Sequence, residues 1–148
     1  MLSNNRFSIR FLTSLSQKEA CKRLTAALKK EGLEVVDQVD LSGYIENRTG
    51  LTLSKYKVLT VCSSLGTYYA LLASPEAGIF LPFHVVVTPY HGKTLIAVVE
   101  PEWLAEVVDN LSFRLLAIEI SEKYKRALAA LQSSEKAPEK AEQKLSVA

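Results

Sequence analysis

Hydrophobic and polar positions alternate with a period of two near the start of the chain. Phe7, Ile9 and Phe11 alternate with Arg6, Ser8 and Arg10, which predicts a strand over 6–12. The period then lengthens. Ala20, Cys21, Leu24, Ala27 and Leu28 form one stripe at helical spacing. Ser16 and Glu19 frame its start as a capping box: a hydroxyl at the cap and a carboxylate three residues on. Lys29 and Lys30 suit the negative end, and Gly32 suits the C-terminal cap, so a helix is expected over 17–31.

Further along, Val35, Val36 and Val39 predict a strand over 33–41, and 42–54 reads as loop or short helix. Residues 56–62 are apolar at nearly every position, which predicts a strand buried on both faces. Ser63 and Ser64 can start a helix over 65–74, closed by Pro75 and Gly78. Two strands follow, 83–89 and 94–99, joined by a turn at His91-Gly92 that sets His84 opposite Val99. Pro89 has no amide hydrogen, so its strand should be at an edge or bulged there. Pro101 suits the first turn of a helix carrying Trp103, Leu104, Val107 and Val108. A long helix is expected over 111–131, with Phe113, Leu116, Ala117, Ile120, Tyr124, Ala127, Leu128 and Leu131 as its stripe. Leu111, Leu115 and Ile118 add a second apolar line. That is wider than one sheet face requires and points to packing against a partner subunit.

The order β-α-β-β-α-β-β-α predicts an α+β fold with a mixed, largely antiparallel sheet and helices packed on it. A doubly wound fold would need a helix between every pair of strands. Residues 1–132 read as one domain. Residues 133–148, with three Lys, three Glu and Pro138, read as a disordered low-complexity tail. At 148 residues and 48% hydrophobic, the chain can build a core without a disulfide or metal. Eighteen basic residues against sixteen acidic leave +2, too mild to imply nucleic acid or a membrane surface. Two cysteines and two histidines show no zinc spacing, and nothing calls for a cofactor. With no signal-peptide run and no long apolar stretch, a cytoplasmic protein with reduced thiols is expected.

Several segments in order carry a resemblance. They are Lys29-Lys30-Glu31-Gly32, then Val35-Val36-Asp37-Gln38-Val39-Asp40, then Tyr56-Lys57-Val58-Leu59-Thr60-Val61-Cys62. Ala70, Pro75-Glu76-Ala77-Gly78, Leu81-Pro82 and Val85-Val86-Val87 complete the series. Over roughly residues 15–130 the sequence resembles the prokaryotic "domain of unknown function 302" family. The resemblance implies an α+β domain that forms homodimers, and it supplies no activity. The family often has Cys-Asn-Pro where this chain has Cys62-Ser63-Ser64. It often has a second cysteine after Leu-Pro, where this chain has Phe83 followed by His84.

Candidate chemistry gathers at the strand-to-helix corner. Cys62 is either a small buried hydrophobe or a thiol activated by a helix N-terminus, with His84 as proton partner. Cys21 belongs to the core stripe. Ser63, Ser64, Gly66 and Thr67 could bind a small anion, or simply cap the helix. Tyr56 and His84 are candidate ligand contacts, each with an ordinary packing alternative, and His91 is a solvated turn residue. Lys18, Lys22, Arg23, Lys29 and Lys30 read as a solvated face without a nucleic-acid motif. The leading expectation is a dimeric binding or accessory module. A thiol-dependent redox or sulfur-handling enzyme and an anion-binding protein are the alternatives.

Overall fold

The computed structural model describes residues 2–135. In chain order its elements are β1 (Leu2–Asn4), β2 (Ser8–Thr13), α1 (Gln17–Lys30), β3 (Glu34–Asp40), α2 (Leu41–Thr49) and β4 (Lys57–Cys62). These are followed by α3 (Ser64–Ala73), a 3-10 turn (Pro75–Ile79), β5 (Phe83–Tyr90), β6 (Lys93–Val99), α4 (Pro101–Val107) and α5 (Leu111–Glu135). The strands form one sheet in the order β1-β2-β6-β5-β4-β3, and all five pairings are antiparallel. The α+β class is as expected.

Helices α1, α4 and α5 pack on one face of the sheet. Ile9, Phe11, Leu59, Val61, Val85, Val87, Ile96 and Val98 pack from the strands against Ala20, Leu24 and Leu28 of α1 and Phe113, Leu116, Ile120, Tyr124 and Leu128 of α5. Burying one such Leu, Ile or Phe stabilises the fold by about 1.5–3 kcal/mol. The whole predicted stripe of α5, Phe113 to Leu131, is buried. Ser16 caps α1 as its sequence suggests, accepting from Glu19 N at 3.2 Å, and Gly32 takes the left-handed conformation just past the helix, with φ 77°.

Among the described residues, no hydrophobic core forms on the other face of the sheet. Arg10, Leu12, Val58, Thr60, Cys62, Val86, Thr88, Leu95 and Ala97 are half-buried there, and His84 is exposed. This corrects the expectation that the 56–62 strand is buried on both faces. Leu59 and Val61 face the helices, while Val58 and Thr60 have lateral cover and Cys62 touches Thr67 of α3. Each is flanked by side chains of paired strands, such as Val86 and Val39 beside Val58. An unbroken apolar run therefore suits a central strand even when one face is open.

Other differences have local causes. β1 is a three-residue strand with too few positions to show a period. Of the two readings for 42–54, loop or short helix, the helix holds over 41–49 because Asp40 caps it, its Oδ1 accepting from Gly43 N at 3.0 Å, and Gly50 closes it at φ 70°. α5 runs four residues past the expected end. Its last turn is tied to the start of the chain, where Arg23 donates to Ser134 O at 3.3 Å and Ser14 N to Glu135 Oε1 at 3.2 Å. Ser133–Glu135 are thus helical, and the rest of the expected tail, 136–148, lies outside the described residues.

The β5–β6 hairpin has the expected register, with Val85 opposite Val98 and Pro89 opposite Thr94. Strand β4 pairs with β5 only as far as Lys57 opposite Val87. Pro89 lies beyond that point, so its missing amide falls where β5 has become a local edge.

Candidate functional site

Three turns of chain build the corner. Strand β4 ends at Cys62, Ser63 is extended at φ −105° and ψ 102°, and α3 begins at Ser64. Thr67 N donates to Ser63 O at 2.8 Å, which sets the first helical turn. The Ser63 hydroxyl makes no capping hydrogen bond. Cys62 is half-buried, and its thiol donates to Thr67 Oγ1 at 3.7 Å. Ser64 is exposed. Gly66 packs closely on α5: a Cβ there would collide with Leu116 Cδ1, so a larger residue would force that leucine side chain to move.

The groove at this corner holds about 420 Å³ and is lined by Ser63, Ser64, Gly66 and Tyr69 together with Glu34, Glu119 and Lys123. Lys123 Nζ is already 2.6 Å from Glu119 Oε1. Two carboxylates against one ammonium make the lining negative, which works against an anion at this place.

His84 pairs with Thr60, two residues before Cys62, so His84, Thr60 and Cys62 lie on the same open face of the sheet. Tyr56 is elsewhere. It precedes β4, six residues from Cys62 and so about 20 Å away along an extended strand. Its amide donates to Ser42 Oγ at 3.0 Å, which ties α2 to β4. His91 sits at the hairpin tip at φ 47°, its ring 4.2 Å from that of Tyr90. Cys21 is 6% exposed in the core, and burial pushes its thiol pKa up. The corner therefore joins Cys62, Ser63, Ser64 and Thr67, with His84 one strand away and Tyr56 at the far end. Among the described residues no three His, Cys, Asp or Glu side chains gather in a way that could hold a metal ion.

The family model "Domain of unknown function DUF302" matches residues 9–131. The chain belongs to this family. The crystal structure of an uncharacterized conserved DUF302 protein from Bacillus stearothermophilus is similar to it, with a TM-score of 0.76 and 25% identity over 83% of this chain and 96% of that one. A comparison with curated proteins finds no match. In this DUF302 domain the matched span begins inside β2 and ends in α5, so it takes in the corner and nearly the whole core.

The domain's exposed apolar surface was only half visible in its sequence. Leu111, Leu115 and Ile118, the second apolar line of α5, are 69%, 61% and 46% exposed. Beside them stands α3, which is apolar nearly all round and yet buries only Ala70. Leu65, Tyr68, Tyr69 and Leu72 of α3 are exposed. Tyr69 and Leu115 line one shared groove between the two helices. The helix pattern of α3 gave a signal, since a helix apolar on every side is expected to be covered on every side. Among the described residues no helix is long and apolar enough to cross a membrane.

Proposed function

We propose that this DUF302 domain works as a homodimeric binding or accessory module, with α3 and α5 forming the subunit interface. The observation that carries the reading is two exposed apolar stripes, Leu65, Tyr69 and Leu72 of α3 and Leu111, Leu115 and Ile118 of α5, which meet where Tyr69 and Leu115 share a groove. Soluble monomers rarely expose apolar patches of this kind. A second copy is the favoured occupant because a two-fold axis would set two such stripes against each other, apolar to apolar. The reading includes a reducing, cytoplasmic setting, which two free thiols support. Size-exclusion chromatography with light scattering tests it. A mass of twice 16.4 kDa is expected at micromolar concentration, and a 16.4 kDa monomer would overturn the reading.

A second reading takes Cys62 as a reactive thiol of a redox or sulfur-handling protein. Supporting it is the position of Cys62, half-buried on the open face at the first turn of α3 and two residues on from the partner of His84. Iodoacetamide labelling of the folded protein across pH decides. Labelling of Cys62 faster than a free thiol near neutral pH supports this reading. Labelling no faster than a free thiol, or only on unfolding, removes it.

A further inference from the structure

A second cavity lies at the other end of β4. It holds about 610 Å³, within the range of small-ligand sites, and is lined by Ser16, Gln17, Lys18, Asp40, Lys55, Lys57 and Pro89. Its cause is the divergence of β4 from β5. Past Lys57 opposite Val87 the strands no longer pair: the chain before Lys57 bonds to α2 through Tyr56, and β5 continues along β6 to Tyr90. The gap is bridged by one side chain. Gln17 Nε2 donates to Lys55 O at 2.9 Å and to Val87 O at 2.8 Å.

Three ammonium groups and one carboxylate line this cleft. Among the described residues none of Lys18, Lys55 and Lys57 is held in an ion pair. Asp40 has one oxygen engaged within the chain, Oδ1 accepting from Ser42 Oγ at 2.6 Å and from Gly43 N at 3.0 Å, which leaves Oδ2 to the cleft. Lys18 also stands in the first turn of a helix, where a cation is locally unfavourable. Three ammonium groups against one carboxylate, none of them closed into an ion pair, leave a positive excess that an anionic ligand offsets.

We propose that this cleft binds a small phosphate ester bearing a hydroxyl or amino group, its phosphoryl dianion held by Lys18, Lys55 and Lys57. The Asp40 carboxylate, at the edge of the same cleft, accepts from the hydroxyl or amino group. This site is remote from the α3–α5 face and stands whether or not the domain dimerises.

Isothermal titration calorimetry at low ionic strength tests the proposal on the full chain, with inorganic phosphate, glycerol 3-phosphate and glycerol as probes. Glycerol 3-phosphate is expected to bind more tightly than inorganic phosphate, glycerol not at all, and binding to weaken as salt rises. The double variant K18A/K55A is expected to weaken binding about tenfold or more, the scale of one lost charge-assisted hydrogen bond. The variant K29A/K30A, at the other end of α1, is expected to leave binding unchanged, and circular dichroism checks that both variants fold. No heat from either phosphate probe, or equal binding by K18A/K55A and the unmodified chain, would overturn the proposal.

Discussion

Gln17 continues the link between β4 and β5 where their pairing ends: its side-chain amide donates to the Val87 carbonyl at 2.8 Å, at the last paired position of the two strands. The same nitrogen also satisfies Lys55 O, so one residue at the start of α1 clamps two strands that have begun to separate. Gln17→Ala leaves a part-buried carbonyl without its donor and is expected to cost about 1–2 kcal/mol. Gln17→Glu sets a carboxylate against two carbonyl oxygens and is expected to cost more than the alanine change. Urea denaturation of the three proteins checks the order. An alanine variant as stable as the parent would show that the clamp does not hold the strands.

Tyr124 lies edge-on to Phe83, ring centres 6.5 Å apart, deep between α5 and the sheet. Its hydroxyl is buried and makes no hydrogen bond to any described residue. Tyr124→Phe removes that unsatisfied group and keeps the ring, so a gain of about 1 kcal/mol is expected. Burial also pushes the phenol pKa far above its ordinary value. For a group with a raised folded pKa, the associated stability is complete below the unfolded pKa and is lost as pH rises. The unmodified chain should therefore lose stability above about pH 10, and Tyr124→Phe should lose less. Thermal unfolding at neutral and alkaline pH measures both effects.

Leu115 and Leu116 are neighbours in sequence with opposite surroundings, 61% and 3% exposed. Leu116→Ala is expected to destabilise by about 2–5 kcal/mol, the usual cost of emptying a core position. Leu115→Lys is expected to leave the melting temperature of the isolated fold nearly unchanged and to halve the mass in light scattering. Reversed outcomes at the two positions would contradict the helix orientation described here.

Asp40 links three elements: it ends β3, caps α2 and faces the basic cleft. The hydrogen bonds from Ser42 and Gly43, and then the charges of Lys57 and Lys55, hold its carboxyl below the ordinary aspartate range. A depressed carboxyl gives stability that is present above the unfolded pKa and lost as pH falls through the folded one. NMR titration should find the Asp40 midpoint below about 3.9. The Gly43 amide resonance should move with it, since that hydrogen bond weakens on protonation. The variant S42A should bring the midpoint back toward the ordinary value.

Most of the fold was legible because its elements are long and periodic. The α1 stripe and its Ser16 cap, the α5 stripe and the β5–β6 register were all set by residues close together in sequence. What escaped depended on partners distant in sequence. The end of α5 is decided by Arg23 and Ser14, more than a hundred residues away along the chain. The open side of β4 is decided by where the helices lie, which an apolar run does not encode. Of the candidate residues, Cys62, Ser63, Ser64 and Thr67 meet at the corner because they are consecutive or one helical turn apart. Tyr56 is close to them in sequence but is carried away by the length of an extended strand. The basic cleft draws Lys18 beside Lys55 and Lys57 from separate segments, and only the folded arrangement brings them together.

Both borders of the sheet discourage continuation. At one side β1 offers only three residues. At the other, β3 shifts register between Val35 and Asp37 and carries Glu34, Asp37 and Asp40. A strand from another molecule would meet a kink, repulsive charge and few free backbone groups. Growth into ribbons or fibres through these borders is thus disfavoured, and an added strand is a poor route to assembly of this domain.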